Sequence, residues 1–216
     1  MMMHISIFGA TGRTGSEFTS RALQAGWTVT LLIRSPEKVP EAWKNHPSVT
    51  MITGNALSKD DVSKAIDSRT EAVFSALSTD KADVLSQAVP AITARMQELG
   101  ISRFVSIGTA GILNAMHTPD KFRYETDESK KPMTRSSIEH AFVFHHLTDS
   151  ELNWTIFCPT YLPDGTEARP VSWKIDFMPN AGKRITPAST AAFVFEHFLN
   201  PQFSHCRVGL AEESES

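Results

Sequence analysis

The sequence predicts an α/β fold, a doubly wound and mostly parallel sheet in a single domain. Three observations predict it. Short apolar segments rich in Val, Ile and Leu alternate with segments of helical period along nearly the whole chain. Those apolar segments lack a polar alternation, as strands buried on both faces do. The first of them, His4–Phe8, runs directly into the loop Gly9-Ala10-Thr11-Gly12-Arg13-Thr14-Gly15.

Each element has a local reason. After the loop, residues 15–25 read as a helix, with Phe18, Ala22 and Ala25 on one face and Gly26 as its stop. Thr28–Ile33 and Val49–Thr53 are apolar, β-branched strands. Ser58, with Asp61 three residues on, starts a short helix in the manner of a capping box. Residues 72–77 form a fourth strand. A long helix spans about 81–99, ends at Gly100 and is expected to kink or break at Pro90. Arg103–Ile107 is the fifth strand, and a polar stretch without period follows over 114–132. Residues 134–149 make a helix through Ile138, Ala141, Phe144 and Leu147. Residues 154–158 form a sixth strand, and 159–187 are expected to be irregular, with five prolines. Helix 190–199 and strand 206–211 complete the pattern, and the acidic tail EESES is expected to fray.

Composition narrows the class. The 216 residues carry a formal charge of −3, with 41% apolar and 21% charged residues. Such a balance suits a globular chain and offers no reason to expect a nucleic-acid partner. Cys158 and Cys206 stand far apart, so no disulfide framework or zinc spacing is present and no metal site is expected. Cys158, in WTIFCP, reads as a small buried hydrophobe. The first residues enter a strand without a basic region and a long apolar run, and no segment is apolar enough to span a bilayer. A cytoplasmic protein without a membrane partner is expected. Its oligomeric state has no signature in the sequence.

The glycine loop carries the most chemistry. Its GxxGxxG spacing between a strand and a helix is close to the dinucleotide fingerprint. Gly9 permits a tight turn, Gly12 lets backbone approach a pyrophosphate, and Gly15 lets helix and strand pack closely. The helix N-terminus offers N–H groups and positive dipole to phosphate. This context identifies a Rossmann-type, dinucleotide-binding domain. At the end of the second strand stand Arg34 and Ser35, where an NAD site usually has Asp or Glu. A guanidinium pairs with a 2′-phosphate in bidentate fashion, so the expected cofactor is NADPH. Arg13 offers a second positive charge there, or else a solvated surface arginine.

GATGRTG, LLIRSPEK, TGNALSKDDV, FVSIGTAG and IEHAFVFHHLTDSELNWTIFCPTYL resemble, in order and spacing, the atypical short-chain dehydrogenase/reductases of the NmrA-like branch. The likeness is strongest to the biliverdin reductase B and flavin reductase subgroup. The resemblance implies that Thr11, Gly12, Arg13 and Thr14 hold the pyrophosphate and that Arg34 and Ser35 hold the 2′-phosphate. It also implies that Asn55 and Ala56 contact adenine and that Leu77 and Ser78 lie beside the ribose. Asn55 stands where the family often has Asp. The resemblance places Thr109, His140 and Tyr161 at the catalytic, acceptor side. Tyr161 replaces a histidine of the family pattern.

The YxxxK pair of standard superfamily members is missing: Tyr124 is followed four residues on by Glu128, and Tyr161 by Gly165. Carbonyl reduction through a tyrosine–lysine acid, and sugar epimerisation, are therefore not expected. Hydride transfer to a flavin, quinone or similar planar acceptor needs mainly proximity and orientation, and it is the expected activity. The alternative is a redox-sensing module that holds NADP(H) without turnover. The segment 159–187 is expected to form part of the substrate side. Trp173 and Phe177 within it are read as core packing or an aromatic lid, and Lys130-Lys131 as a solvated face. His140 is read as a pocket-edge histidine or a partly buried one, and neighbours His145 and His146 point apart on a helix.

Overall fold

A computed structural model of the chain describes residues 3–79, 82–129 and 133–213. Its strands are β1 (His4–Phe8), β2 (Thr28–Ile33), β3 (Val49–Thr53), β4 (Ala72–Ser75), β5 (Arg103–Ile107), β6 (Asn153–Pro159), β7 (Val171–Ile175) and β8 (Cys206–Glu212). Its helices are α1 (Arg13–Gln24), α2 (Glu41–Lys44), α3 (Lys59–Ala65), α4 (Val84–Glu98), α5 (Arg135–Thr148) and α6 (Pro187–Glu196). The strands form one sheet in the order β3-β2-β1-β4-β5-β6-β8-β7. All neighbours are parallel except β7, which runs antiparallel to β8.

Helices cover both faces, which is why the strands are apolar on both. On β1, Ile5 and Ile7 belong to one buried cluster with Phe18 of α1 and Val194 of α6. Phe8 belongs to the other, with Val62 of α3, Ile92 of α4 and Val143 of α5. An aromatic group joins α1 to α6: Phe18 stacks on Phe74 of β4 at 3.9 Å and meets Phe195 of α6 edge-on at 5.9 Å. Buried Arg103 donates from Nε and Nη2 to the carbonyl of Phe198 at 2.8 and 2.6 Å, fixing the turn after α6 to β5. On the opposite face, buried Glu139 of α5 accepts the N–H groups of Leu85 at 2.8 Å and Ser86 at 3.0 Å. A side chain of α5 thus caps the N-terminus of α4.

Several boundaries differ from those the sequence suggests. α1 starts at Arg13 rather than at residue 15, because the loop's second glycine is already the helix cap. α2 is only four residues long and leaves no period to read. The helix expected over 81–99 is α4, Val84–Glu98. It continues through Pro90 without a break, and Lys81 lies outside the described residues. α6 starts three residues early, where Thr186 caps and Pro187 occupies the first turn. The segment 159–187 is not wholly irregular, since it contains β7. Without a parallel crossover of its own, this strand adds to the sheet edge by antiparallel pairing. Glu212, expected in a frayed tail, is buried at the end of β8; residues 214–216, like Lys130 and Lys131, lie outside the described residues.

Candidate functional site

The strand order reverses at β1, with β2 and β3 on one side and β4, β5 and β6 on the other. In such sheets a crevice opens at that switch point, outside the carboxyl ends of the strands. The glycine loop lies there. Gly9 has φ +80, and a Cβ on it would stand 2.6 Å from the Ala76 carbonyl oxygen, so the loops after β1 and β4 touch. A Cβ on Gly15 would come within 2.1 Å of the Gly9 carbonyl oxygen, which makes Gly15 the point of closest approach between α1 and the loop. Gly12 is exposed, with φ −77 and ψ 167 as the cap of α1. A Cβ there would meet only the Gly9 oxygen at 3.2 Å.

The N-terminus of α1 is built for an anion. No side chain caps it, and its first turn contains no acidic residue. The other long helices are closed differently. Ser58, Thr134 and Thr186 cap α3, α5 and α6 with their own hydroxyls, and Glu139 closes α4. The first-turn N–H groups of α1 face the crevice without a competing side chain, which fits a pyrophosphate.

The remaining residues follow the carboxyl edge in strand order. Arg34 is exposed just beyond β2, and Ser35 begins the turn Pro36–Lys38. Asn55 and Ala56 follow β3. The Asn55 N–H donates to the Asp61 carboxylate at 3.0 Å, and its side-chain oxygen accepts the Leu57 N–H at 3.1 Å. Asp61 is therefore held below its ordinary carboxylate pKa, first by that backbone bond and also by Lys64 and Ser58. Its carboxylate serves the loop rather than the capping box that Ser58 and Asp61 suggest in sequence. Leu77 and Ser78 follow β4, half-buried and exposed. Thr109 ends the run after β5, half-buried, with its hydroxyl oxygen accepting the Gly111 N–H at 3.5 Å. Tyr161, two residues beyond β6, is 69% exposed.

His140 does not open onto solvent. It is buried within α5, one turn beyond Ser137, which packs near Gly111. Burial lowers its pKa to about 4. With that pKa the imidazole is neutral near pH 7, which favours the buried histidine over a pocket-edge one that donates a proton. Tyr124 is also poorly placed for acid–base work. Burial, then the charge of Glu125, raises its pKa, the opposite of what a catalytic tyrosine requires. Trp173 packs edge-on against Phe203 at 5.0 Å, and Cys158 is buried with its thiol pKa pushed up by that burial. His146 meets the Thr93 hydroxyl at 2.8 Å while His145 lies toward Phe122. Among the described residues no cluster of His, Cys, Asp and Glu could hold a metal, and no helix is long and apolar enough to cross a membrane.

Arg13 makes a contact that sequence reading missed. Its Nη1 donates to the Leu162 carbonyl at 2.9 Å and to the Asp164 carboxylate at 2.9 Å. The glycine loop is thereby strapped to the segment after β6. The partners are 151 positions apart, and no local signal joins them.

The chain matches the NAD(P)H-binding family over residues 9–201. Solved structures share its fold from end to end. A candidate epimerase from Bacteroides thetaiotaomicron aligns with a TM-score of 0.84 at 21% identity, covering 100% of both chains. A short-chain dehydrogenase/reductase from Veillonella parvula in complex with NADP aligns at 0.77 and 19% identity, over 98% of this chain and 95% of that one. A candidate NADH-flavin reductase from Streptococcus pneumoniae aligns at 0.76 and 22% identity, over 98% and 100%. At these identities the likeness establishes the Rossmann fold, while the family match covers the glycine loop and nearly all that follows it. The chain belongs to the NAD(P)H-binding family.

Proposed function

We propose that the protein is an NADPH-dependent reductase that delivers hydride to a flavin, quinone or similar planar acceptor. One observation carries the reading: the carboxyl edge joins an uncapped α1 N-terminus to a crevice that ends at Thr109 without a tyrosine–lysine pair. When bound, the reduced nicotinamide supplies the hydride. The backbone of Thr11, Gly12 and Thr14 holds the pyrophosphate at the start of α1. Arg34 recognises the 2′-phosphate with its fork, supported by Ser35. Asn55 and Ala56 border the adenine, and Leu77 and Ser78 the ribose. Arg13, engaged with Leu162 and Asp164, joins the cofactor loop to the acceptor side.

The Thr109 hydroxyl orients the nicotinamide carboxamide or a carbonyl of the acceptor. His140, neutral and buried, shapes the wall behind it, so the acceptor takes its proton from water. Tyr161 borders the acceptor. The names of two structural neighbours support parts of this reading: a short-chain dehydrogenase/reductase with NADP supports the phosphorylated cofactor, and a candidate NADH-flavin reductase supports the flavin acceptor. The test is NADPH oxidation, followed by nicotinamide absorbance, against flavins, quinones and tetrapyrroles. Turnover with planar acceptors and none with simple aldehydes or ketones is expected. Tight NADPH binding with every acceptor silent overturns the reading and indicates a sensor.

A further inference from the structure

A cavity of about 510 Å³ lies beyond Tyr161, lined by that ring and by Arg169, Lys183, Arg184, Glu212 and Glu213. Its size suits part of a small ligand. Its rim is knitted by backbone. The Ile185 N–H donates to the Tyr161 carbonyl at 2.9 Å and the Glu212 N–H to the Arg184 carbonyl at 2.9 Å. The Gly182 N–H donates to the Glu212 carbonyl at 2.9 Å and the Glu213 N–H to the Pro170 carbonyl at 3.0 Å. Four stretches of chain are thus fixed around one hollow at the carboxyl end of β6 and β8. The chain that leaves the cavity at Tyr161 runs straight into Leu162 and Asp164, which Arg13 of the glycine loop holds.

The lining is cationic in a chain whose formal charge is −3. Arg169, Lys183 and Arg184 stand with two carboxylates; Arg169 and Arg184 both act on Glu212, and each carboxylate also accepts from a hydroxyl. Glu212, its side chain 5% exposed, accepts the Ser189 hydroxyl at 2.7 Å and the Thr186 N–H at 2.9 Å. Glu213 accepts the Ser172 hydroxyl at 3.5 Å. The Arg184 guanidinium, 59% exposed, lies only within 4.0 Å of Glu212. Lys183 is exposed beside it. Guanidinium and ammonium groups around a preformed hollow recognise carboxylate or phosphate.

We infer that this cavity binds an acidic group, carboxylate or phosphate, of the planar acceptor, with the Tyr161 ring beside the acceptor's flat body. The inference rests on the proposed reductase reading and specifies its substrate class. Acceptors with an acidic group are preferred over neutral analogues of the same ring system.

The experiment measures binding and turnover separately. The protein is saturated with NADP⁺, so that no hydride moves, and quenching of flavin fluorescence gives affinities for flavin mononucleotide and riboflavin. Anthraquinone-2-carboxylate and its methyl ester make the matching carboxylate pair, followed by quenching of tyrosine and tryptophan emission. At low salt the acidic member of a pair is expected to bind at least about tenfold more tightly, the weight of one charge-assisted bond. That ratio falls toward unity in Arg184→Gln and in Lys183→Gln, and further in the double variant. A preference in the phosphate pair alone, or the carboxylate pair alone, identifies the group taken. Equal binding within both pairs, failure of all four compounds to bind, or ratios unchanged in both variants overturns the inference. If the acidic preference holds but NADPH reduces none of the four, the cavity stands and the reductase reading falls. If NADPH reduces acidic and neutral members while binding within each pair is equal, the reductase stands and the cavity assignment falls.

Discussion

At the scale of single residues, two side chains define the chemistry most sharply. Arg34 stands just beyond β2, where an acidic side chain would select an unphosphorylated ribose. One charge-assisted hydrogen bond contributes roughly 1.5–3 kcal/mol, or about 10- to 150-fold in affinity. Arg34→Ala is therefore expected to weaken NADPH by that factor and leave NADH nearly unchanged, as calorimetric titration with both cofactors will read. Equal NADPH affinity in the two proteins contradicts the assignment. His140 makes a different prediction. Burial lowers its pKa from 6.5 to about 4. Between those values the unfolded chain binds the proton that the folded one refuses, so stability falls as the pH drops through that window. The shift corresponds to a few kcal/mol, on the order of 3 at the acidic end. Urea unfolding from pH 7 to pH 4 should show a shallower loss in His140→Asn than in the parent. Identical pH dependence in the two proteins means that the imidazole is not held neutral.

Among the elements, the glycine loop separates binding from folding. Gly12 is exposed and has a φ that any residue adopts. Gly12→Val should fold, with unchanged circular dichroism, yet show no rise in melting temperature with NADPH. Gly15 is different, because its Cβ would stand 2.1 Å from a carbonyl oxygen. Gly15→Ala should cost about 1–3 kcal/mol of stability as the loop moves aside, measurable in urea. If Gly12→Val binds NADPH normally, the pyrophosphate does not approach this backbone. Glu139, which caps α4 from α5, gives an independent test of the far face. Glu139→Ala orphans two N–H groups and should lower stability by about 1–3 kcal/mol. Faster hydrogen exchange at Leu85 and Ser86 would accompany it. These elements also show what the sequence made legible. Seven of the eight strands are visible because a doubly covered sheet demands continuous apolar runs, and β7 is not. Its Val171, Trp173 and Ile175 alternate with Ser172 and Lys174 amid prolines, and its pairing comes only from β8. The caps Ser58 and Thr134 are local and readable. The cap supplied by Glu139 is 54 positions from Leu85 and cannot be read locally.

At the scale of the whole molecule, the sheet order places the glycine loop, Arg34, Asn55, Ser78, Thr109 and Tyr161 along one edge. That alignment was legible, because parallel strands carry their loops to the same side and motif positions at strand ends are local. Burial was less so: His140 shares a helical period with exposed and buried neighbours alike, and only packing against the rest of the fold puts it inside. The Arg13 strap and the cavity beyond Tyr161 arise from contacts between distant segments, and hence from topology. The central claim, hydride delivery from NADPH to a planar acceptor, is tested most directly by anaerobic single turnover. The protein is loaded with NADPH deuterated at one or the other face of the nicotinamide and mixed with flavin mononucleotide. The account predicts flavin bleaching matched one-to-one by NADPH oxidation, slowed by deuterium on one face only. NADPH that binds but persists unoxidised, with flavin mononucleotide and with quinones, would contradict it.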